Sequence, residues 1–343
     1  MAPKMRYRGD FKDSRGQYTQ VFFDSTGAFL IGELERLDPK VHQPLMEFTY
    51  HRDLPFRSDV TVADEYTSYM EIAYGAIGGP NANGKNWFSK QGNTIAAAQV
   101  DLTKTTLPFP LWAMGIDYDL PELESAQLLN RPLDQMKINA MQAKHQMDCD
   151  EQAYVGDTEI QQTGLVNNPR VVVNSAATGA GGSTLWAAKT PAEVLLDINT
   201  LLSNVWIQSA LAVPPSKILL PPEAFKTLVN PVTDAGDRSI MTYVMENNIY
   251  KMQTGRDLDI KAVKWLADIS EAGHGRMVAY TPKEDYVRFP LTPLQRTNIQ
   301  YDLLKVKFAY WGRLGVVEFV KPETLGYVDE ITEPIPFVPI PRG

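Results

Sequence analysis

Two prolines set two residues apart in an otherwise alternating run, Leu107-Pro108-Phe109-Pro110-Leu111, limit what this chain can build. Proline has no N–H to give to a β-ladder, so a strand carrying both on one side lies at the edge of its sheet. The run belongs to a period-two pattern between Val62 and Leu120. Tyr66, Met70, Ile72 and Tyr74 share one face, Leu107, Phe109 and Leu111 share another, and Met114, Ile116, Tyr118 and Leu120 follow. Between the outer strands sits "GAIGGPNANGKNWFSKQGN", rich in Gly and Asn. Alternation on both sides of a turn-forming tip predicts a long antiparallel hairpin. A two-stranded ribbon is marginal by itself, so one that projects is expected to lean on another subunit. Trp87 and Phe88, flanked by Asn86 and Ser89 at the tip, are candidate contact residues, with burial against the chain's own body as the alternative.

The chain has 343 residues, 44% of them hydrophobic, enough for a substantial core in one large domain or two ordinary ones. No run of eighteen apolar residues occurs, and the start "MAPKMRYRGDFKDSRG" lacks the apolar middle of a signal peptide, so the expected compartment is the cytosol. A single cysteine, Cys149, excludes an intrachain disulfide and a cysteine-rich zinc site. Lys and Arg number 33 against 41 Asp and Glu, a net charge of −8, which argues against binding nucleic acid by broad phosphate neutralisation. The first sixteen residues reverse that balance, with Lys4, Arg6, Arg8, Lys12 and Arg15 against Asp10 and Asp13. Such a basic arm suits a neighbour's acidic face or a polyanion, or is simply solvated.

A short amphipathic helix is expected around Phe29, Leu30, Leu34 and Leu37, ended by Pro39. From Pro121 the period becomes helical, and after Pro132 a long helix carries Leu133, Met136, Ala140, Ala143, Met147 and Tyr154 on one stripe, interrupted only by Asp150 and closed by Gly156. At about 1.5 Å per residue it is a rod of roughly 35 Å, a spine across a domain. A compact α/β unit follows. Thr190, Pro191 and Glu193 form a capping box, "SKILLPPEAFKTLV" is a buried strand running into a helix, and "RSIMTYVMENNIYK" predicts a third helix. "LDIKAVKWL", "GRMVAYTP" and "DYVRFPL" are strand-like, and β structure returns after Pro293. The end, "EPIPFVPIPRG", is expected to be extended and polyproline-like.

Catalytic signatures are sparse. "ATGAGGSTLW" resembles a phosphate loop but lacks the lysine before its Ser/Thr, because Gly182 precedes Ser183. His145 and Cys149 lie one helical turn apart beside Asp148, which makes a thiolate–imidazole or metal-ligand pair geometrically possible, but a nucleophile in mid-helix has no oxyanion donors. Asp117 and Asp119 share a strand face, more simply a solvated one, and His42, His51 and His274 are scattered. No cofactor or metal motif is found, and a non-catalytic protein is expected.

The order of parts is informative as a whole: basic arm, projecting hairpin, edge strand, spine helix, the turn "GDTEIQQTGLVNNP", central α/β unit, β return. It resembles the major capsid protein of tailed bacterial viruses, which have the Hong Kong 97-type fold. The local signature is the end of the spine, with Asp148, Asp150, Glu151 and Gly156 followed by Gly164, Leu165 and Asn167. The resemblance implies an α+β chain with an N-terminal arm (1–58), an extended β-hairpin loop (59–118), a peripheral domain with the spine helix (119–175 and 284–330), an axial domain (176–283) and a Pro-rich tail (331–343). It implies no enzyme activity, but self-assembly through pentamers and hexamers into an icosahedral head around double-stranded DNA, inside the virion. Scaffolding, portal and decoration proteins are possible partners, with weak DNA contact and no membrane. Trp87, Phe88, Lys85, Lys104, Arg6 and Arg8 become candidate inter-subunit contacts. Some relatives crosslink hairpin lysines to a neighbour; Lys85, Lys90 and Lys104 are available, but no crosslink is expected. An encapsulin-like nanocompartment shell is the alternative within the fold, and a hydrolase built on His145, Cys149 and Asp148 the alternative outside it.

Overall fold

The structure, a computed structural model, describes residues 11–12, 18–19, 46–76, 98–122, 124, 133–231, 238–270 and 273–333. Residues 1–47 and 48–343 are separate compact units. In the first, β1 (Phe11–Lys12) pairs antiparallel with β2 (Tyr18–Thr19). The helix expected around Phe29–Leu37 falls outside the described residues, as do Arg6, Arg8 and the proline-rich end.

In the second unit, α1 (Tyr50–Asp53) and β3 (Phe56–Arg57) precede the expected ribbon, β4 (Tyr66–Ala76) against β5 (Ala98–Pro108). The pairing is antiparallel from Tyr66 opposite Pro108 to Ala76 opposite Ala98. Its tip, with Trp87, Phe88, Lys85 and Lys90, lies outside the described residues. One expectation fails: Leu107, Phe109 and Leu111 do not share a strand face. The Phe109 N–H bonds the Glu65 carbonyl at 3.0 Å and Pro110 has none to give, so the ladder ends and the chain bends. Phe109 turns inward, 1% exposed, while Leu111 is 56% exposed and opens β6 (Leu111–Asp119), which joins another sheet.

The spine is α2 (Leu133–Tyr154). Its buried side follows the expected stripe only in part: Tyr154 is fully buried and Ala143 and Met147 half-buried, but Met136 and Ala140 are exposed, and Met141, His145, Cys149, Gln152 and Ala153 also face inward. Apolar periodicity missed part of the face because polar side chains take core positions here, His145 against Cys149 and Trp112 and Asp150 against backbone N–H groups and the Trp265 indole. After the helix, β7 (Gly156–Asp157) and β8 (Gln162–Thr163) make a small hairpin that brings the chain back under the helix end. There Gly164, Leu165 and Val166 donate their N–H groups to the carbonyls of Val155, Ala153 and Tyr154 at 2.9–3.1 Å. Asn167 completes the cap, accepting from the Gly164 N–H and donating to the Val155 carbonyl, both at 2.8 Å. The Gly-Leu-Val-Asn segment thus satisfies carbonyls a helix end leaves orphaned. A Cβ on Gly164 would fall 2.2 Å from the Tyr154 carbonyl group, and Gly156 sits at φ +79°; both positions need glycine.

Beyond come β9 (Val173–Ser175), α3 (Pro191–Gln208), β10 (Lys217–Leu220), α4 (Pro222–Val229), α5 (Ile240–Asn247), α6 (Ile249–Thr254), β11 (Asp259–Ala262) and β12 (Met277–Tyr280). The Thr190–Glu193 capping box starts α3 as expected. The single helix expected over "RSIMTYVMENNIYK" is two, because Asn248 takes an extended conformation between them. Its amide donates to the Val244 and Met245 carbonyls and its oxygen accepts from the Lys251 N–H, so one side chain closes α5 and opens α6. The last strands are β13 (Val287–Pro290), β14 (Gln295–Arg296), β15 (Gln300–Asp302), β16 (Lys305–Arg313), β17 (Glu318–Phe319) and β18 (Gly326–Asp329).

A mixed five-stranded sheet, ordered β11-β10-β12-β18-β9, divides two cores. Strand alternation sends Ile218, Leu220, Met277, Ala279 and Val328 to a face covered by α3 to α6. It sends Leu219, Val278, Tyr280 and Tyr327 to the other, against the last turns of α2 and against β13 and β17. A second sheet, in which β6 pairs along the whole of β16, lays Ile116, Tyr118 and Phe308 on Ile138 and Met141 of the spine.

Buried charges tie these layers together. Asp53, fully buried, accepts from the Tyr154 hydroxyl and pairs with Lys217 at 2.9 Å and Arg52 at 2.7 Å. Burial pushes the Asp53 carboxyl upward, but hydrogen bonds from Arg52, Tyr154 and Lys217 outweigh it and hold it below its ordinary value. Asp150, the interruption in the spine's stripe, accepts from the Thr49 and Tyr50 N–H groups and from the Trp265 indole.

Two outcomes follow. Gly164→Ala, which forces backbone apart, is expected to lower unfolding free energy by about 2 kcal/mol in urea melts. Asp53→Asn leaves the buried Lys217 with only the half-exposed Asp259 carboxylate as counter-ion and is expected to cost about 3 kcal/mol at neutral pH. Because the folded-state carboxyl titrates below its unfolded value, that stabilisation is complete above about pH 4, and the gap between Asp53→Asn and the unaltered protein narrows as pH falls through the folded value.

Candidate functional site

The ribbon has two unlike faces. Directly opposed residues of an antiparallel pair share a face, so Tyr66, Met70 and Ile72 lie on the same side as Lys104, Leu102 and Val100. This outer face is open: Tyr66, Met70 and Leu102 are each 66% exposed, with Val100 and Ile72 above half. Lys104, opposite Met70, is exposed among them. The apolar stripe read in the sequence is therefore real, but it points away from the body. The inner face carries Thr67 and Tyr69, both buried, and Glu71.

The root of the inner face is pinned by residues no motif flagged. The Tyr69 hydroxyl donates to the Phe319 carbonyl at 2.9 Å, and Arg170 reaches both that hydroxyl and the Glu71 carboxylate at 3.3 Å. Arg313 donates from Nε to the Val62 carbonyl and from Nη1 to the Phe109 carbonyl, both at 2.6 Å. Arg57 donates from Nη1 to the Ser68 carbonyl at 3.3 Å and pairs with Asp59 and with Glu318, which is fully buried. Arg288 holds the other oxygen of Glu318. Asp59, then Glu318, raise the Arg57 guanidinium above its ordinary value against the opposing effect of burial. The one sequence signal for this cluster is a glutamate inside the apolar strand "GVVEFV".

The catalytic candidates are placed unfavourably for chemistry. Cys149 is wholly buried, and burial pushes its thiol up to about 12. His145 is 3.6 Å from the sulfur and stacks edge-on against Trp112; burial lowers its pKa against the pull of Asp148. Near neutrality this is a protonated thiol beside a neutral ring, not a thiolate–imidazolium pair. Asp148 is occupied by the Trp112 indole and Lys144. Asp117 and Asp119 are exposed on β6, Asp119 facing Lys305 at 3.4 Å. The glycine-rich loop already holds an anion of its own: the Ala180 N–H donates to the Glu193 carboxylate at 2.6 Å. Among the described residues no group of three or more His, Cys, Asp or Glu is placed to hold a metal ion, and no helix is long and apolar enough to cross a membrane.

If Cys149 is packing material, a maleimide reagent at pH 7 is expected to label the folded protein on the order of a thousand-fold more slowly than the urea-unfolded one. Rapid labelling of the folded chain would contradict that placement.

A family model described as "Major capsid protein" matches residues 84–331. Among solved structures, the capsid of Myoviridae phage XM1 superposes with a TM-score of 0.73 at 14% identity, covering 90% of this chain and all of that one. The capsid of an empty GTA particle gives 0.55 at 11% identity over 88% and 97% of the two chains, and Mycobacterium phage Che8 gives 0.55 at 9% over 91% and 100%. No curated protein matches by sequence. The extent of the family match and the shared mixed helix-and-strand fold agree with the order of parts read from the sequence, and the chain belongs to the major capsid protein family, with the Hong Kong 97-type fold, as a structural subunit of a virion's capsid shell.

Proposed function

We propose that the ribbon is the fastener between subunits of that shell: each copy lays the outer face of β4 and β5 on the adjacent copy. The observation that carries this reading is the exposed stripe of Tyr66, Met70, Ile72, Val100 and Leu102 on a two-stranded element whose other face is already used. Contiguous exposed apolar surface of this kind marks an interaction site, and a closed shell supplies the same neighbour to every copy. Lys104, within the stripe, and Lys85, Trp87 and Phe88 at the tip extend the contact. The basic arm, with Arg6 and Arg8, meets a neighbour or touches packaged DNA weakly.

In this reading residues 1–58 are the arm, 59–118 the extended loop, 119–175 with 284–330 the peripheral domain, 176–283 the axial domain gathered into pentamers and hexamers, and 331–343 a tail. The content is double-stranded DNA, and a net charge of −8 suits a container that must not grip a polyanion. Scaffolding, portal and decoration proteins are its further partners. The role is assembly and load-bearing, without catalysis.

The test is a double substitution, Met70→Glu with Leu102→Glu. Both side chains are exposed, so the melting temperature of the subunit is expected to hold within a few degrees. Closed particles, seen by sedimentation and negative-stain microscopy, are expected to disappear in favour of soluble subunits or capsomers. Closed particles at undiminished yield would overturn the reading.

A further inference from the structure

The outer face can serve a neighbour only if the ribbon leaves the body at one angle, and strand pairing does not fix that angle. A two-stranded ribbon is free to swing about its root, and every copy that swings must be ordered again on docking. The root contacts oppose this swing. Arg313, in β16, ties the chain entering β4 to the chain leaving β5 by bonding the Val62 and Phe109 carbonyls. Arg57, in β3, bonds the Ser68 carbonyl. Arg170 bonds the Tyr69 hydroxyl and Glu71. The three come from separate stretches of the body, and their partners lie between residues 62 and 71 and at Phe109, on the chain leading into and out of the ribbon. None of these bonds uses an outer-face side chain.

We infer that Arg57, Arg170 and Arg313 are positioning residues for assembly: a collar that sets the take-off angle of the ribbon, and so presents the outer face already oriented to the next copy. The inference rests on the ribbon being the fastener. The guanidinium is suited to the task because its planar fork reaches two acceptors at once, as Arg313 does, which a lysine does not. Arg57 has a second duty. Glu318 is buried completely between Arg57 and Arg288, so removing Arg57 also leaves a buried carboxylate half-compensated and mixes stability with positioning. Arg313 bonds two carbonyls, and Arg170 is nearly half exposed, so these two report on positioning more cleanly.

The experiment uses the full chain with Arg313→Gln, Arg170→Gln and Arg313→Lys, and reads three quantities: amide hydrogen exchange in unassembled subunits, melting temperature, and the subunit concentration at which half the protein is in particles. In both Gln variants, exchange over 66–72 and 100–107 is expected to rise about ten-fold while exchange in α3 and the melting temperature stay near their original values. The assembly concentration is expected to rise by about ten-fold in step, with Arg313→Lys between the extremes. The assignment falls if ribbon exchange does not rise, if it rises with no change in assembly, or if α3 exchange and melting shift along with the ribbon, since the arginines would then be ordinary stabilisers. Should Arg313→Gln fail to fold, the more exposed Arg170→Gln decides by the same criteria. The Met70→Glu/Leu102→Glu chain, whose collar is intact, separates the two ideas. If it assembles normally, the fastener reading itself is wrong; if it does not, while the Gln variants assemble as the unaltered chain does, only the collar is wrong.

Discussion

A ribbon of two strands has two faces, and this subunit has a body for only one of them. Tyr69 and Thr67 are taken into the interior, while Met70 and Ile72, their neighbours in sequence, stand in solvent. Period-two geometry makes that division unavoidable: whatever turns one side inward turns the other outward. A side built of Tyr, Met, Ile, Val and Leu is costly to leave wet, which is the basis of the proposal that it meets a second copy of the chain. In a capsid shell, other copies of the same subunit are at hand to meet such a face.

The rest of the chain keeps the ribbon's foundation still. The spine helix ends against Gly164, Leu165 and Val166, which close its last carbonyls, and its Asp150 receives the first turn of α1. From α1, Asp53 reaches Tyr154 of the spine and Lys217 of the central sheet. Helix, sheet and the approach to the ribbon are thus linked by a few buried ionic contacts, which are sensitive to geometry in a way that apolar packing is not. Immediately after α1 comes Arg57, so the same short segment connects the central network to the ribbon's root.

Much of this was legible from the sequence because it depends on local rules. Alternation and a Gly/Asn-rich tip gave the ribbon; Thr190 and Glu193 gave the start of α3; the terminal Gly and the Gly-Leu-Val-Asn turn marked the end of the spine. What was not legible depends on partners far along the chain. The buried side of α2 was misjudged in part because Asp150 looks like a surface residue until Thr49, Tyr50 and Trp265 are brought to it, and His145 until Trp112 packs on its ring. The break at Asn248 was hidden because an asparagine in a helical run costs little until both its amide and its oxygen find backbone partners. The arginines at the root left little trace beyond the glutamate in "GVVEFV", since their acceptors are backbone carbonyls, a tyrosine hydroxyl and carboxylates from distant parts of the chain. The expected contact residues at the tip and in the arm lie outside the described residues, whereas Lys104 is on the open face.

The central sheet shares its strands between two cores, with Leu219 serving one and Ile218 and Leu220 the other, and Val278 and Tyr280 divided in the same way from Met277 and Ala279. Loosening one side therefore strips packing from strands on which the other core also rests, so the two cores are coupled through β10, β12 and β18. For a part repeated many times in one container this means that damage to one side of the sheet is expected to be felt on the other, so that a flaw on the side away from the neighbours still reaches the side that meets them.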